Sequence, residues 1–318
     1  PTPFPRMTYD EAMLKYGSDK PDLRFGLEIV ELTDLVKDVE FKVFSSAVQA
    51  GGVVRAINAK GCAVFTRREI DELTQIAIDN GAKGMAWIIV TENELRSPIT
   101  KFFTEEQMNR VLQALDAQPG DLLLFSADTK ETVARVLGTI RLELGKRLNL
   151  LDDSRLCFVW VTDFPLLEWD EEEKRYVAVH HMFTSPRVAD IPYLEENPLQ
   201  ARSRAYDLIL NGTEIGGGSI RIHRRDWQEK MFKLVGLTPE EAYDKFGYML
   251  DAFEYGTPPH GGIAFGVDRL VMIMAGRSSI RDVIAFPKTQ SASCLLTQAP
   301  SPVSPKQLRE LSIKIREK

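Results

Sequence analysis

Asp207 and Glu214, the glycines Gly216, Gly217 and Gly218, and Arg221 lie in one short stretch whose residue types suit a cation next to an anion. Between the two acids, Asn211-Gly212 is a strong hairpin signal, because a type I′ turn needs positive φ at both central positions. That turn sets Leu210 opposite Thr213 and Ile209 opposite Glu214. Asp207 then becomes the diagonal neighbour of Glu214 on one face, roughly 7–8 Å away at Cα. Two carboxylates so placed repel unless a cation or solvent comes between them. Mg²⁺ carrying substrate phosphates suits the gap, since it is held by one or two carboxylates plus phosphate oxygens. The glycines leave room for a ligand against the strand, and Arg221 offers a planar fork for a carboxylate or phosphate. Strict alternation sends Arg221 to the face opposite Glu214, so a bulge within residues 216–218 is needed to bring both to one pocket. Taken alone, the stretch also reads as a solvated hairpin with incidental charges.

Residues 262–269 read as an apolar strand that turns at Gly266 into an amphipathic helix, with Val267, Asp268 and Arg269 in its first turn. A helix N-terminus offers free N–H groups and a positive dipole end to an anion. An arginine there opposes the dipole unless it helps to hold that anion. No Gly-Lys-Ser/Thr follows, so this is not a P-loop. His180 and His181 stand at a strand end, where alternation sends them to opposite faces and keeps them from ligating one metal. A structural role or a hydrogen bond into a polar pocket both remain open for them. His223 and His260 belong to no constellation. The chain has no CxxC, HExxH or GxSxG motif and no signature of a covalent nucleophile.

The elements that must carry these residues fall into two textures. From about residue 25 to 146, strands at 41–44, 53–58, 85–90 and 122–125 alternate with helices. Thr66-Arg-Arg-Glu69 and Thr104-Glu-Glu-Gln107 are capping boxes that open two of these helices, and a third spans 131–148. After residue 146 come longer antiparallel strands at 158–163, 176–181, 205–210, 213–222 and 262–265, with helices at 226–234, 239–253, 267–275 and 306–317. The charged run at 170–175 reads as a solvated hairpin turn. A short helix at 9–16 precedes the turn-rich Gly17-Ser-Asp-Lys-Pro-Asp22.

With 318 residues, 44% of them hydrophobic, the chain can bury two cores. A net charge of −6 argues against a protein that coats nucleic acid, though not against a local docking surface. Three scattered cysteines favour a reducing compartment without structural zinc. No apolar run approaches the roughly 20 residues of a membrane span. A soluble cytoplasmic protein is expected. The opening Pro-Thr-Pro-Phe-Pro-Arg reads as a mid-chain connector.

In order, Tyr16-Gly-Ser-Asp-Lys-Pro-Asp-Leu-Arg24, Phe164-Pro165, His180-His-Met-Phe-Thr-Ser-Pro186, the stretch from Ala205 to Arg221, Tyr255-Gly-Thr-Pro-Pro-His260, residues 262–269 and Arg281-Asp-Val-Ile-Ala-Phe-Pro-Lys288 resemble bacterial-type aspartyl-tRNA synthetases of class II. The set spans the chain. Each piece is ordinary, and the ordered series is specific. The family often has proline where Met182 stands. The resemblance implies an α+β fold: a six-stranded antiparallel class II sheet flanked by helices. Residues 1–24 and 147–318 would build that catalytic domain, and 25–146 an inserted α+β domain.

It further implies that Arg269 holds the ATP γ-phosphate, with Gly266, Val267 and Asp268 beside it. Asp207 and Glu214 would hold Mg²⁺ and ATP. Arg221 would grip the side-chain carboxylate of L-aspartate, with His180 touching the amino acid and His181 nearby. The activity implied is aspartate–tRNA ligation through an aspartyl-adenylate, by a homodimer acting on tRNA(Asp), with tRNA(Asn) left open. The family's N-terminal anticodon-binding barrel and first two class II motifs are not in this stretch, so the chain is expected to be a C-terminal part, inactive alone. A non-catalytic paralogue and a tRNA-independent amino-acid ligase are the competing readings.

Overall fold

A computed structural model describes residues 2–316. Twelve strands run through it: β1 (Arg6–Thr8), β2 (Ile29–Glu31), β3 (Val53–Ala59), β4 (Ala86–Val90), β5 (Leu95–Arg96), β6 (Leu122–Asp128), β7 (Phe158–Thr162), β8 (Leu167–Asp170), β9 (Arg175–Ala178), β10 (Ala205–Leu210), β11 (Thr213–Ile220) and β12 (Gly261–Phe265). The helices are α1 (Tyr9–Tyr16), α2 (Thr33–Val36), α3 (Lys42–Gln49), α4 (Arg67–Asp79), α5 (Glu105–Ala114), α6 (Lys130–Arg147), α7 (Arg225–Leu234), α8 (Pro239–Phe253), α9 (Val267–Met274) and α10 (Pro305–Glu310).

The sheet that carries the acids runs β1-β7-β10-β11-β12. It has five strands rather than the six expected, and β1 pairs parallel with β7 while β10 pairs antiparallel with both β7 and β11. Between β1 and β7 the chain builds a second antiparallel sheet, β2-β3-β6-β4-β5. Its central strands β3 and β6 are almost wholly buried, because helices cover both faces. On one face Leu73, Leu137 and Ile140 pack on Ile57 and Leu124; on the other Phe44 and Val111 pack on Ala56 and Phe125. A mixed α+β architecture with antiparallel sheets is the result.

The local chemistry explains most boundaries. Thr66, Thr104 and Thr238 each accept a backbone N–H at N3, while Glu69, Gln107 and Glu241 reach back, so α4, α5 and α8 begin with complete capping boxes. The charged run at 170–175 forms the turn of a two-stranded hairpin, with β8 and β9 in register from Leu167↔Ala178 to Asp170↔Arg175.

Three further expectations, each about a single element, change. Residues 41–44 are not a strand: α3 starts at Lys42 with no side-chain cap at Phe41, and buries Phe44. The strand expected at 176–181 stops at Ala178 and pairs with β8, away from the main sheet, so the two histidines lie in a loop. The last helix is shorter than 306–317; it covers Pro305–Glu310, and residues 317 and 318 lie outside the described part.

By compactness the chain divides at residues 264 and 265. The larger unit contains nearly all of the elements above; the smaller runs from Phe265 onward and holds α9 and α10.

Candidate active-site cleft

The β10–β11 hairpin closes as its turn residues dictate. Asn211 has φ 50° and Gly212 φ 79°. Leu210 pairs with Thr213 and Ile209 with Glu214. The register then shifts: Leu208 pairs with Gly216, which leaves Ile215 as an extra, bulged residue, and Asp207 pairs with Gly217. The bulge therefore sits one residue before the glycine run where it was expected. Ile215 is only 2% exposed, so the extra residue contributes to the core. The effect on the site is the one required. One inserted residue flips the alternation, and Asp207, Glu214, Gly217, Ser219 and Arg221 line a single cleft of about 510 Å³.

Gly217 is a cradle for the two acids. A Cβ at this position would lie 2.5 Å from Asp207 Oδ1 and 3.2 Å from Glu214 Oε1. Asp207 is 6% exposed. Burial, and then the Glu214 charge, push its carboxyl up to about 6, with Lys20 opposing. Arg221 is fixed through its backbone: it bridges Thr184, and its N–H donates to the His260 carbonyl at 2.9 Å.

Both histidines reach this cleft, so the alternation argument that separated them does not apply to their loop. The His180 ring meets Phe164 edge-on at 4.7 Å. His181 Nδ1 accepts the Phe183 N–H at 3.1 Å, which leaves the proton of the neutral ring on Nε2. Solvent reaches both rings, yet the cleft desolvates them enough to lower their pKa values. Glu214 opposes the shift at His180, and Arg221 reinforces it at His181.

Sequence reasoning missed a wall of this cleft. Tyr9, Asp19, Lys20 and Phe164 also line it, and Lys20 Nζ lies 2.7 Å from Asp19 Oδ2. Asp19, Lys20 and Phe164 stood in the sequence only as parts of landmarks, the turn-rich 17–22 segment and Phe164-Pro165, with no role attached, and Tyr9 only as the start of a short helix. The acid–lysine pair could not be placed without the fold.

The remaining predicted residues lie in the smaller unit. Gly266 is the N-cap of α9 and provides no side-chain cap. Val267, Asp268 and Arg269 form the first turn, and the Arg269 side-chain carbons pack over Gly266, 3.4 Å from where its Cβ would be.

Hard oxygen donors converging on a side-chain-free position suit a small divalent cation shared with phosphates. Among the described residues no group of three or more acids, histidines or cysteines is arranged to hold a metal by itself. No described helix is long and apolar enough to cross a membrane, and Cys62, Cys157 and Cys294 are free.

One face of the main sheet thus presents two acids, an arginine and glycines to a single cleft. The pattern of the tRNA synthetases class II (D, K and N) matches residues 1–290, and the chain belongs to that family. It is 68% identical over 317 residues to an aspartate–tRNA(Asp/Asn) ligase of Syntrophomonas wolfei, covering 100% of this chain and 54% of that protein. An aspartate–tRNA(Asp/Asn) ligase of Heliobacterium modesticaldum is 63% identical over 99% of this chain and 52% of its own length. An aspartate–tRNA ligase of Geobacillus kaustophilus is 60% identical over 99% of this chain and 54% of its own. The chain thus spans about half the length of the curated relatives it matches.

Proposed function

We propose that the full-length protein is an aspartate–tRNA ligase and that the cleft holds L-aspartate and the phosphates of ATP. The observation that carries this reading is the convergence of Asp207 and Glu214 over Gly217, with Arg221 brought to the same cleft by the Ile215 bulge. In the first step an oxygen of the aspartate α-carboxylate attacks the α-phosphorus of ATP, and the bond to pyrophosphate breaks. In the second, a 3′-terminal hydroxyl of tRNA attacks the aspartyl carbonyl, and AMP leaves. Such chemistry rests on alignment and charge neutralisation, and the absence of a nucleophile motif in the chain agrees with it.

Arg221 pairs with the side-chain carboxylate of aspartate through its fork. His180, neutral at pH 7, hydrogen-bonds the amino acid, and His181 lies beside it. Asp207 and Glu214 would hold Mg²⁺, which when bound neutralises phosphate charge. Glu214 also contacts ATP. In the smaller unit Gly266, Val267 and Asp268 offer backbone to ATP, and Arg269 takes the γ-phosphate. Residues 25–146 act as an inserted domain, consistent with a second sheet built between two adjacent strands of the first. Charging of both tRNA(Asp) and tRNA(Asn) is favoured by the names of the Syntrophomonas and Heliobacterium relatives. A homodimer belongs to the same reading, and the free cysteines suit a cytoplasmic setting.

The test is aspartate-dependent exchange of pyrophosphate into ATP. Full-length protein is expected to catalyse it, and the 318-residue chain alone is not. Full-length protein that exchanges with no amino acid, or with one other than aspartate, removes the assignment.

A further inference from the structure

The cleft wall formed by Asp19 and Lys20 hangs on a segment that is moulded to α6. Gly17 ends α1 with φ 67°, and a Cβ there would lie 2.2 Å from the Ala134 carbonyl and 2.7 Å from Gly138 N. A Cβ on Gly138 would in turn lie 2.7 Å from the Gly17 carbonyl. One turn on, Arg141 is 1% exposed. Its Nη2 donates to the carbonyls of Asp22, Phe25 and Gly26, each at 2.8 Å, and its Nε to Gly26 at 3.1 Å. The guanidinium also lies 4.9 Å from the centre of the Tyr16 ring and 4.1 Å from that of Phe25. A further turn along, Gly145 makes room for Phe25, whose ring lies 2.8 Å from where its Cβ would be. Positions 138, 141 and 145 share one helix face, and all three are shaped by residues 16–26. From its other side the segment meets the hairpin turn, with Asp22 Cβ 3.4 Å from the Cβ position of Gly212.

A buried arginine whose partners are main-chain carbonyls is an expensive way to fill a core. Its fork fixes the path of the chain, because several acceptors must be met at once by one planar group. We propose that Arg141 is a positioning residue: from α6 it sets the 17–24 loop so that Asp19 and Lys20 face Asp207 and Glu214 across the cleft. Lys20 then meets an anionic group of the substrates, and Asp19 steadies the ammonium. Arg141 touches no substrate. This inference rests on the proposed cleft, but its main readout does not.

The experiment uses full-length protein carrying Arg141→Met, Arg141→Lys, Lys20→Ala, or Arg141→Met with Lys20→Ala. Amide hydrogen exchange of residues 17–24 is expected to speed up about tenfold in both Arg141 variants, while β3 and β6 keep wild-type protection. The KM for aspartate or ATP should rise about tenfold in Arg141→Met, with kcat changed far less. Adding Arg141→Met to Lys20→Ala should raise KM no further. Unchanged exchange in 17–24, or KM effects that multiply in the double variant, would overturn the proposal. If Arg141→Met does not fold, Arg141→Lys and its own double variant with Lys20→Ala decide in the same way. Wild-type protein inactive with aspartate would remove the functional reading, and hydrogen exchange would still test the loop.

Discussion

Asp207 and Gly217 are cross-strand partners, and the missing Cβ of Gly217 leaves the space that the Asp207 carboxylate occupies, 2.5 Å from Oδ1. Gly217→Ala should therefore displace the two acids without harming the fold, because the atoms in the way are ends of side chains. Stability should fall by less than about 1 kcal/mol in thermal melts. In full-length protein the KM for ATP should rise about tenfold. Wild-type ATP affinity in Gly217→Ala would dismiss the cradle.

The neighbouring glycine should behave differently. A Cβ on Gly218 would lie 1.9 Å from the Gly262 carbonyl, which is backbone of the adjacent strand. Gly218→Ala cannot be accommodated unless β11 and β12 part, and about 2 kcal/mol or more of stability should be lost in urea unfolding of the chain. Equal stabilities for the Gly217→Ala and Gly218→Ala variants would refute this contrast.

Asp207 should weaken the fold at neutral pH. Its folded carboxyl titrates at about 6, above the ordinary 3.8. The folded state therefore holds the proton more tightly than the unfolded chain. Stability falls as pH rises from about 4 to 6 and stays lower above that window, by roughly 2–3 kcal/mol. Asp207→Asn should be more stable than wild type at pH 7 and equal to it below about pH 4. A pH-independent difference between the two would show that the Asp207 charge is not its source.

Arg221→Lys keeps the charge and loses the fork. In full-length protein it should raise the KM for aspartate about tenfold or more and narrow the preference for aspartate over asparagine. An unaltered preference takes Arg221 out of side-chain recognition.

What could be read from the sequence was what short-range chemistry decides. Capping threonines marked the starts of α4 and α5, and Asn211-Gly212 set the hairpin register as far as Glu214. The helix α3 was hidden because Phe41 is no cap, and its apolar run fits a strand equally well. The path of His180 and His181 depended on where β9 stopped, which its partner β8 decides. Strand parity showed that a bulge was needed but not its place: a buried isoleucine took the extra position, and glycine did not. Asp19 and Lys20 were beyond reach, since long-range packing on α6 brings them to β10.

The bulge at Ile215 makes the number of residues between Glu214 and Arg221 matter as much as their kinds. Losing one glycine from this run would spare every charged group, yet it would rotate either the acid or the arginine to the far side of the sheet. In this hairpin, spacing is itself a determinant of which ligands can be held, and a change in length would act like the loss of a binding side chain.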